Sequence, residues 1–344
     1  MKNYSKNKSL QVSIVIPCRN EEKFIGACLD SIIANDYPKD KLEIIVVDGM
    51  SADETRNVIE RYSNKHQFIR ILDNTKKIIP AAMNIGIKNA HGEVVMKMDG
   101  HATYELEYIS KCVRYLNEYN ADNVGGIWNV IPRVNTPTSN AIAEVLKQPL
   151  GSGNAYIKIG ADVPRWTDCV SFGCFRKEIF EQIGLFNENL VRASDMDFNK
   201  RIKKNGGKIL LVPDIVTNYY CDADFKSSWK HNFSDGVWTT HVLKFGSWAF
   251  SLRHLVPLLF VLSLIVSALL SLIFPPFLWL FLLIIGAYCL TTIIASAKII
   301  IYSKEKNIRY LFLFPTAFFV RHFAHGIGAL YGLIKPKKRV VENG

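Results

Sequence analysis

The sequence predicts an α/β fold, a mostly parallel sheet with helices on both faces, followed by C-terminal transmembrane helices. Three observations carry this reading. Val12–Pro17 and Glu43–Val47 are apolar strands flanking one amphipathic helix, and the second ends in a lone carboxylate, Asp48. Strand and helix patterns then continue to alternate, as in consecutive βαβ units. Between Leu255 and Tyr302 the only charged residue is Lys298. That stretch holds two helices of about 20 residues, each able to cross a hydrocarbon core of roughly 30 Å.

Each element has its own local signal. Asn20 is a plausible N-cap for a helix whose apolar positions Phe24, Ile25, Cys28, Leu29, Ile32 and Ile33 recur at helical spacing. Ser51 to Glu54 (SADE) reads as a capping box opening a second helix to about Tyr62. Phe68–Leu72 is a short third strand, and Ala81–Asn89 is helical up to His91 and Gly92. Glu93–Met98 is a fourth strand that runs into Asp99, and Glu107–Tyr119 is another amphipathic helix.

From Gly125 to Cys174 the glycines, Pro132, Pro137 and Pro149 predict functional loops or a lid. Phe175–Ile183 and Asp195–Lys204 are predicted helices, and Lys208–Val212 is a late strand. Ser228–Arg253, rich in Trp, Lys and Arg, reads as interfacial. The third apolar segment, 310–334, carries Arg321, His322 and His325 near its middle. It is read as re-entrant or interfacial, with a full span as the alternative. The expected organisation is therefore a domain over 1–230, an interfacial segment over 231–254, two transmembrane helices over 255–302, and the third apolar segment with a basic tail over 303–344.

The charge distribution narrows the class of partner. From Ser303 to Gly344 there are eight Lys or Arg against two Glu, which supplies +6 of the net +11. Basic segments beside apolar helices mark the cytoplasmic face and anionic lipid. The charge follows the membrane segments and forms no separate basic face, which argues against nucleic acid. The polar, basic start (MKNYSKNKSL) has no apolar core and predicts no signal peptide. The catalytic part is thus expected in the cytoplasm, anchored to the plasma membrane. The seven cysteines have no CxxC pair or metal-type spacing, so reduced thiols are expected.

The chemistry concentrates at strand ends. A buried run of Ile and Val carries an acid only where it emerges, and open α/β sheets place ligands at that carboxyl edge. Asp48 therefore suggests a nucleotide site. PCRNEE follows the first strand where a dinucleotide fold would have GxGxxG. The fourth strand ends MKMDGH, putting Asp99 and His101 just past its edge. An Asp-x-His pair offers an oxygen and an imidazole nitrogen to a divalent cation, Mn²⁺ being favoured slightly over Mg²⁺ by the nitrogen. Taken alone, Asp-Gly is equally a turn.

The blocks VSIVIPCRNEE, EIIVVDGMSADET, PAAMNIGIKNAHGEVVMKMDGH, SFGCFRKEIF and SDMDFNKRIKKNGGKI, in this order, resemble glycosyltransferase family 2 over about residues 10 to 240. The DGH sequence and the apolar C-terminus resemble in particular the succinoglycan-type exopolysaccharide transferases. The resemblance implies a GT-A fold, a nucleotide-sugar donor (a UDP-sugar favoured), a divalent metal and inversion by direct displacement. It implies that Pro17, Arg19 and Glu21 line the nucleoside pocket, that Asp48 binds the base, and that Asp99 contacts ribose or metal. The family's second DxD carboxylate falls at His101, and the second acid of VDDGS is absent from VDGMS.

The family's base lies in a Glu-Asp pair at a helix start, which here corresponds to Ser194 and Asp195. Asp195 is the candidate base and Asp197 the runner-up; as a plain helix start, both acids would favour its positive end. A QxxRW-type motif is missing, and Lys230, His231 and Trp238 stand nearby instead. The expected activity moves one sugar onto a lipid-linked oligosaccharide. The alternatives are transfer to polyprenyl phosphate itself and a non-catalytic nucleotide-binding membrane scaffold.

Overall fold

The computed structural model describes residues 10–302 and 307–337. The polar start and parts of the predicted basic segments (1–9, 303–306 and 338–344) lie outside the described residues. In chain order the elements begin with β1 (Val12–Cys18), α1 (Ile25–Ile33), β2 (Leu42–Asp48), α2 (Thr55–Lys65), β3 (Ile69–Asp73), α3 (Ile79–Asn89), β4 (Val94–Lys97) and α4 (Tyr108–Glu118). They continue with β5 (Asn123–Ile131), α5 (Pro137–Leu146), α6 (Pro149–Ser152), α7 (Tyr156–Ile159), β6 (Arg165–Trp166), β7 (Cys174–Arg176), α8 (Glu178–Ile183), α9 (Ser194–Lys204) and β8 (Ile209–Tyr220). The chain then becomes helical, with α10 (Phe225–His241), α11 (Val256–Ser271), α12 (Pro276–Tyr302) and α13 (Tyr310–Ile334).

The strands form one sheet in the order β3-β2-β1-β4-β7-β5-β8-β6. The first four are mutually parallel, with Val12 opposite Leu42 and Val94, and Cys18 opposite Asp48. Antiparallel β7 sits between β4 and β5, and β6 pairs antiparallel with β8. Ile14, Ile16, Ile44, Val46, Val94 and Met96 are fully buried with Ile25, Leu29 and Ile32 of α1 and Ile109 and Leu116 of α4. Each such large apolar side chain contributes about 1.5–3 kcal/mol relative to exposure.

The described residues divide into two units, 10–129 with 160–218 and 130–159 with 219–337. Several local expectations change. Asn20 does not cap α1: its backbone is left-handed (φ 57°), its side-chain oxygen accepts from the Ala52 amide, and its own amide donates to Ser51 Oγ. Ser51 does not cap α2, because its amide and hydroxyl both donate to Asp48. Asp53 instead accepts from the Thr55 amide at the start of that helix.

The region expected to be irregular takes in most of the nine-residue β5 and all of the ten-residue α5. In α5 Thr136 Oγ1 accepts from the Ser139 amide, Pro137 opens the helix, and Ala141, Ile142 and Val145 are buried at helical spacing. Phe175 belongs to strand β7 and not to a helix, being paired with Val95 and Asn123. The predicted late strand extends eight residues further, to Tyr220.

In the second unit, α10 and α13 approach closely through glycine. A Cβ on Gly328 would lie 2.1 Å from the Phe233 carbonyl oxygen, and one on Gly236 would lie 2.0 Å from that of His325. The stretch expected to lie at the interface therefore has one packed face, and its helix stops at His241. Among the described residues two helices are long and apolar enough to cross a membrane, Leu252–Ser271 and Pro276–Tyr302. Only 22% and 6% of their most apolar windows are buried, whereas the core helix of a soluble protein is mostly buried. These two helices mark the chain for membrane association.

Candidate active site

Parallel strands bring their carboxyl ends to one edge of the first unit, and most of the predicted residues collect there. Pro17 is buried within β1 opposite Val47. Arg19 is exposed and packs over Gly49, where an added Cβ would come within 3.1 Å of Arg19 Cβ. Asp48 is deeper than its role suggests: its side chain is 1% exposed, Ser51 Oγ donates to it at 2.5 Å, and Arg56 stands 3.5 Å away. Glu21 is tied to the same corner by its amide, which donates to Thr55 Oγ1.

Asp99 follows β4, with its amide bonded to Tyr104 Oη at 2.7 Å and its carbonyl accepting from Cys28 Sγ. His101 is more exposed; its ring lies 3.0 Å from Glu21 Oε1 and 4.0 Å from Asp99 Oδ2. Burial pushes the Asp99 carboxyl up; Lys97 and His101 oppose this, while Asp195 and Glu21 add to it. Carboxylates crowded in this way, beside an imidazole, suit a divalent cation as counter-charge. Among the described residues no group of three or more His, Cys, Asp or Glu is arranged to hold a metal ion. The donors fit a site that a ligand's oxygens complete.

Asp195 opens α9 and reaches the same edge. Lys97 Nζ contacts Asp195 Oδ2 at 2.5 Å, with the Lys97 side chain 9% exposed and that of Asp195 35%. Burial opposes the Lys97 charge, but Asp195 and Asp99 outweigh it and raise its pKa above the ordinary lysine value. Lys97 is the functional candidate that sequence reasoning missed. Its signal was a cation at the end of an otherwise apolar strand, two residues before Asp99.

Asp197 differs: Arg201 Nε donates to it at 3.0 Å, and the same guanidinium donates to the Ile183 and Leu185 carbonyls. Arg201 thus fastens α9 to the segment after α8. Cys18 and Cys28, also near this edge, are poor nucleophiles; burial and then the Asp48 charge push the Cys18 thiol up to about 12.

A mixed sheet with this strand order, and acids gathered at the carboxyl edge of its parallel half, defines a glycosyltransferase of the GT-A type. The chain belongs to glycosyl transferase family 2, whose family model matches residues 13–184. It is 30% identical over 335 residues to a dolichyl N-acetyl-alpha-D-glucosaminyl phosphate 3-beta-D-2,3-diacetamido-2,3-dideoxy-beta-D-glucuronosyltransferase of Methanococcus voltae, covering 94% of this chain and 97% of that protein. It is 27% identical over 209 residues to the succinoglycan biosynthesis protein ExoA of Rhizobium meliloti, covering 60% of this chain and 62% of that one. Among solved structures, a mannosyltransferase from Pyrobaculum calidifontis in complex with GDP-Man and Mn²⁺ superposes with a TM-score of 0.58 at 17% identity, over 95% of this chain and 88% of that one. That last likeness is one of fold.

Proposed function

We propose that this enzyme transfers one sugar, with inversion, from a nucleotide-diphosphate donor to a saccharide carried on a lipid phosphate at the cytoplasmic face of the membrane. The observation that carries this reading is the Lys97–Asp195 pair beside Asp99 at the carboxyl edge of the parallel strands. It sets one carboxylate, held by a buried cation, next to crowded acids that a divalent cation would balance. The acceptor class is supported by the near-full-length similarity to a transferase named for a dolichyl phosphate-linked sugar, and by the two apolar helices.

In this mechanism Pro17, Arg19, Glu21 and Asp48 form the nucleoside corner, with Ser51 and Arg56 as Asp48's partners in the free chain. Asp99 and His101 would hold a divalent cation, Mn²⁺ or Mg²⁺, which when bound neutralises charge on the donor diphosphate. Lys97 takes one oxygen of Asp195, and the carboxylate accepts the proton of the acceptor hydroxyl. That hydroxyl oxygen bonds to the anomeric carbon as the carbon–phosphate oxygen bond breaks, and the nucleoside diphosphate leaves with the bonding pair. Displacement from the opposite face inverts the anomeric centre.

The test is Asp195→Asn in the full-length protein. Transfer should fall at least about 100-fold, the lower end of a general base's contribution, while nucleotide-sugar binding survives. Near-normal transfer would remove Asp195 from the role. Mass spectrometry of lipid products distinguishes a lipid-linked saccharide acceptor from bare polyprenyl phosphate. A thermal-shift screen of nucleotide sugars with and without Mn²⁺ reports donor and metal together.

A further inference from the structure

The second unit carries polar chemistry that the sugar-transfer steps leave unused. Arg321 lies in the otherwise apolar α13, and its Nη1 donates to Asn232 Oδ1 of α10 at 2.8 Å. Asn232 is buried and donates in turn to the Ser228 carbonyl at 2.7 Å. This hydrogen bond is to a neutral amide, while the Asp235 and Asp222 charges act on the guanidinium from the same cluster. A guanidinium has five N–H donors in a planar fork, well suited to phosphate oxygens.

Lys158 of α7 belongs to the same cluster. Burial and then the Arg321 charge lower its pKa to about 7, while Asp235 and Asp222 pull the other way. Facing them, the His231 ring lies 3.3 Å from Asp222 and 3.5 Å from Asp235. Two cations are therefore held close enough to repel. An apolar segment that retains such charges is a functional-site hypothesis by default, and a phosphate is the ligand that relieves the repulsion.

The surroundings favour an anion with a hydrocarbon tail. His322, next to Arg321, hydrogen-bonds through Nδ1 to Tyr288 Oη of the apolar α12 at 3.1 Å and through Nε2 to the Leu150 carbonyl at 3.0 Å. Phe260 of α11 stacks on Tyr288, and Phe323 of α13 packs edge-on to both. Leu259, Val266, Leu283 and Leu290 of α11 and α12 remain exposed.

We propose that Lys158 and Arg321 seat the phosphate of an isoprenoid phosphate, the anchor of the glycan acceptor, with its hydrocarbon chain lying along α11 and α12. This rests on the lipid-phosphate acceptor reading above. Asp222 and Asp235 balance the cations when no phosphate is bound, and His231 holds the two acids in place.

The test uses the full chain in detergent micelles, with farnesyl phosphate as probe and farnesol, inorganic phosphate and the nucleoside diphosphates UDP and GDP as comparators. Arg321→Gln and Lys158→Gln should each weaken farnesyl phosphate binding at least tenfold, with farnesol and nucleotide binding unchanged. Lys158→Arg should stay within threefold of the parent. Should Arg321→Gln fail to fold in a melting assay, Lys158→Gln on its short, partly exposed helix decides.

Unchanged farnesyl phosphate binding in the folded variants overturns the proposal. So does an equal loss of nucleotide binding, which would give the cluster to the donor. Inorganic phosphate bound as tightly as farnesyl phosphate overturns it too, in favour of a soluble anion. The acceptor reading fails separately if the parent protein glycosylates soluble saccharides but neither binds farnesyl phosphate nor modifies lipid; the seat then falls with it.

Discussion

Replacing Lys97 by Met removes the cation that holds the proposed base while keeping most of its stem. Removing one partner of a fully buried pair costs about 3–5 kcal/mol. Here water reaches Asp195, 35% exposed, although it hardly reaches Lys97, 9% exposed. The loss should therefore drop to about 2 kcal/mol, a melting temperature lower by roughly 3 °C for a chain of this size. Activity should suffer more than stability. An unpositioned base forfeits much of a contribution of about 10²–10⁴, so kcat should fall at least about 100-fold in a single-turnover assay with radiolabelled nucleotide sugar. Donor KM should stay within about threefold, because the nucleoside corner is untouched. A variant that melts early yet keeps kcat within threefold of the parent would refute the reasoning, leaving the pair a structural brace.

Arg201→Met should lower stability by about 2 kcal/mol through the loss of charge-assisted hydrogen bonds to Asp197 and two carbonyls. At a temperature where that variant stays folded, kcat should remain within about threefold, as measured by melting and initial rates. Glu43 gathers Ser13, the His91 amide and Arg70 at the opposite edge of the sheet. Burial pushes its carboxyl up, but these hydrogen bonds outweigh it and hold the pKa at about 2 against 4.5. Its stabilisation is complete above about pH 4.5 and is lost as pH falls through about 2, so Glu43→Gln should remove up to about 3 kcal/mol at neutral pH and flatten the acid limb of a stability–pH curve. Gly328→Val should disrupt the helical unit, because its Cβ would meet the Phe233 backbone at 2.1 Å. Loss of folded, monodisperse protein in detergent is the expected readout.

The parallel half of the fold was legible because β1, β2 and β4 are near-continuous apolar runs buried on both faces, and β2 and β4 run into an acid. Asp48, Asp99 and their shared edge follow from that rule alone, and the two long apolar helices follow from length without charge. The short β7 was not legible. Three residues, CFR, carry too little pattern to outweigh the helical texture of FRKEIF, and only pairing with β4 and β5 selects the extended form. The cap assignments failed for a related reason. Ser51 and Asn20 are good capping residues, but a buried carboxylate and a neighbouring loop competed for their hydrogen bonds and won.

By itself the sequence determined the class of sheet, the edge where its acids gather, and the two long apolar helices that mark the chain for membrane association, since all three depend on local periodicity and on where charge is absent. Only the tertiary structure decided which cation faces which acid. Lys97 and Asp195 are 98 residues apart, and nothing local distinguishes Asp195, held at the site edge by Lys97, from Asp197, fastened by Arg201. Two acids two residues apart on one helix project about 200° from each other, so the fold around α9, and not the residue type, turned one toward Lys97 at the sheet edge and the other toward Arg201.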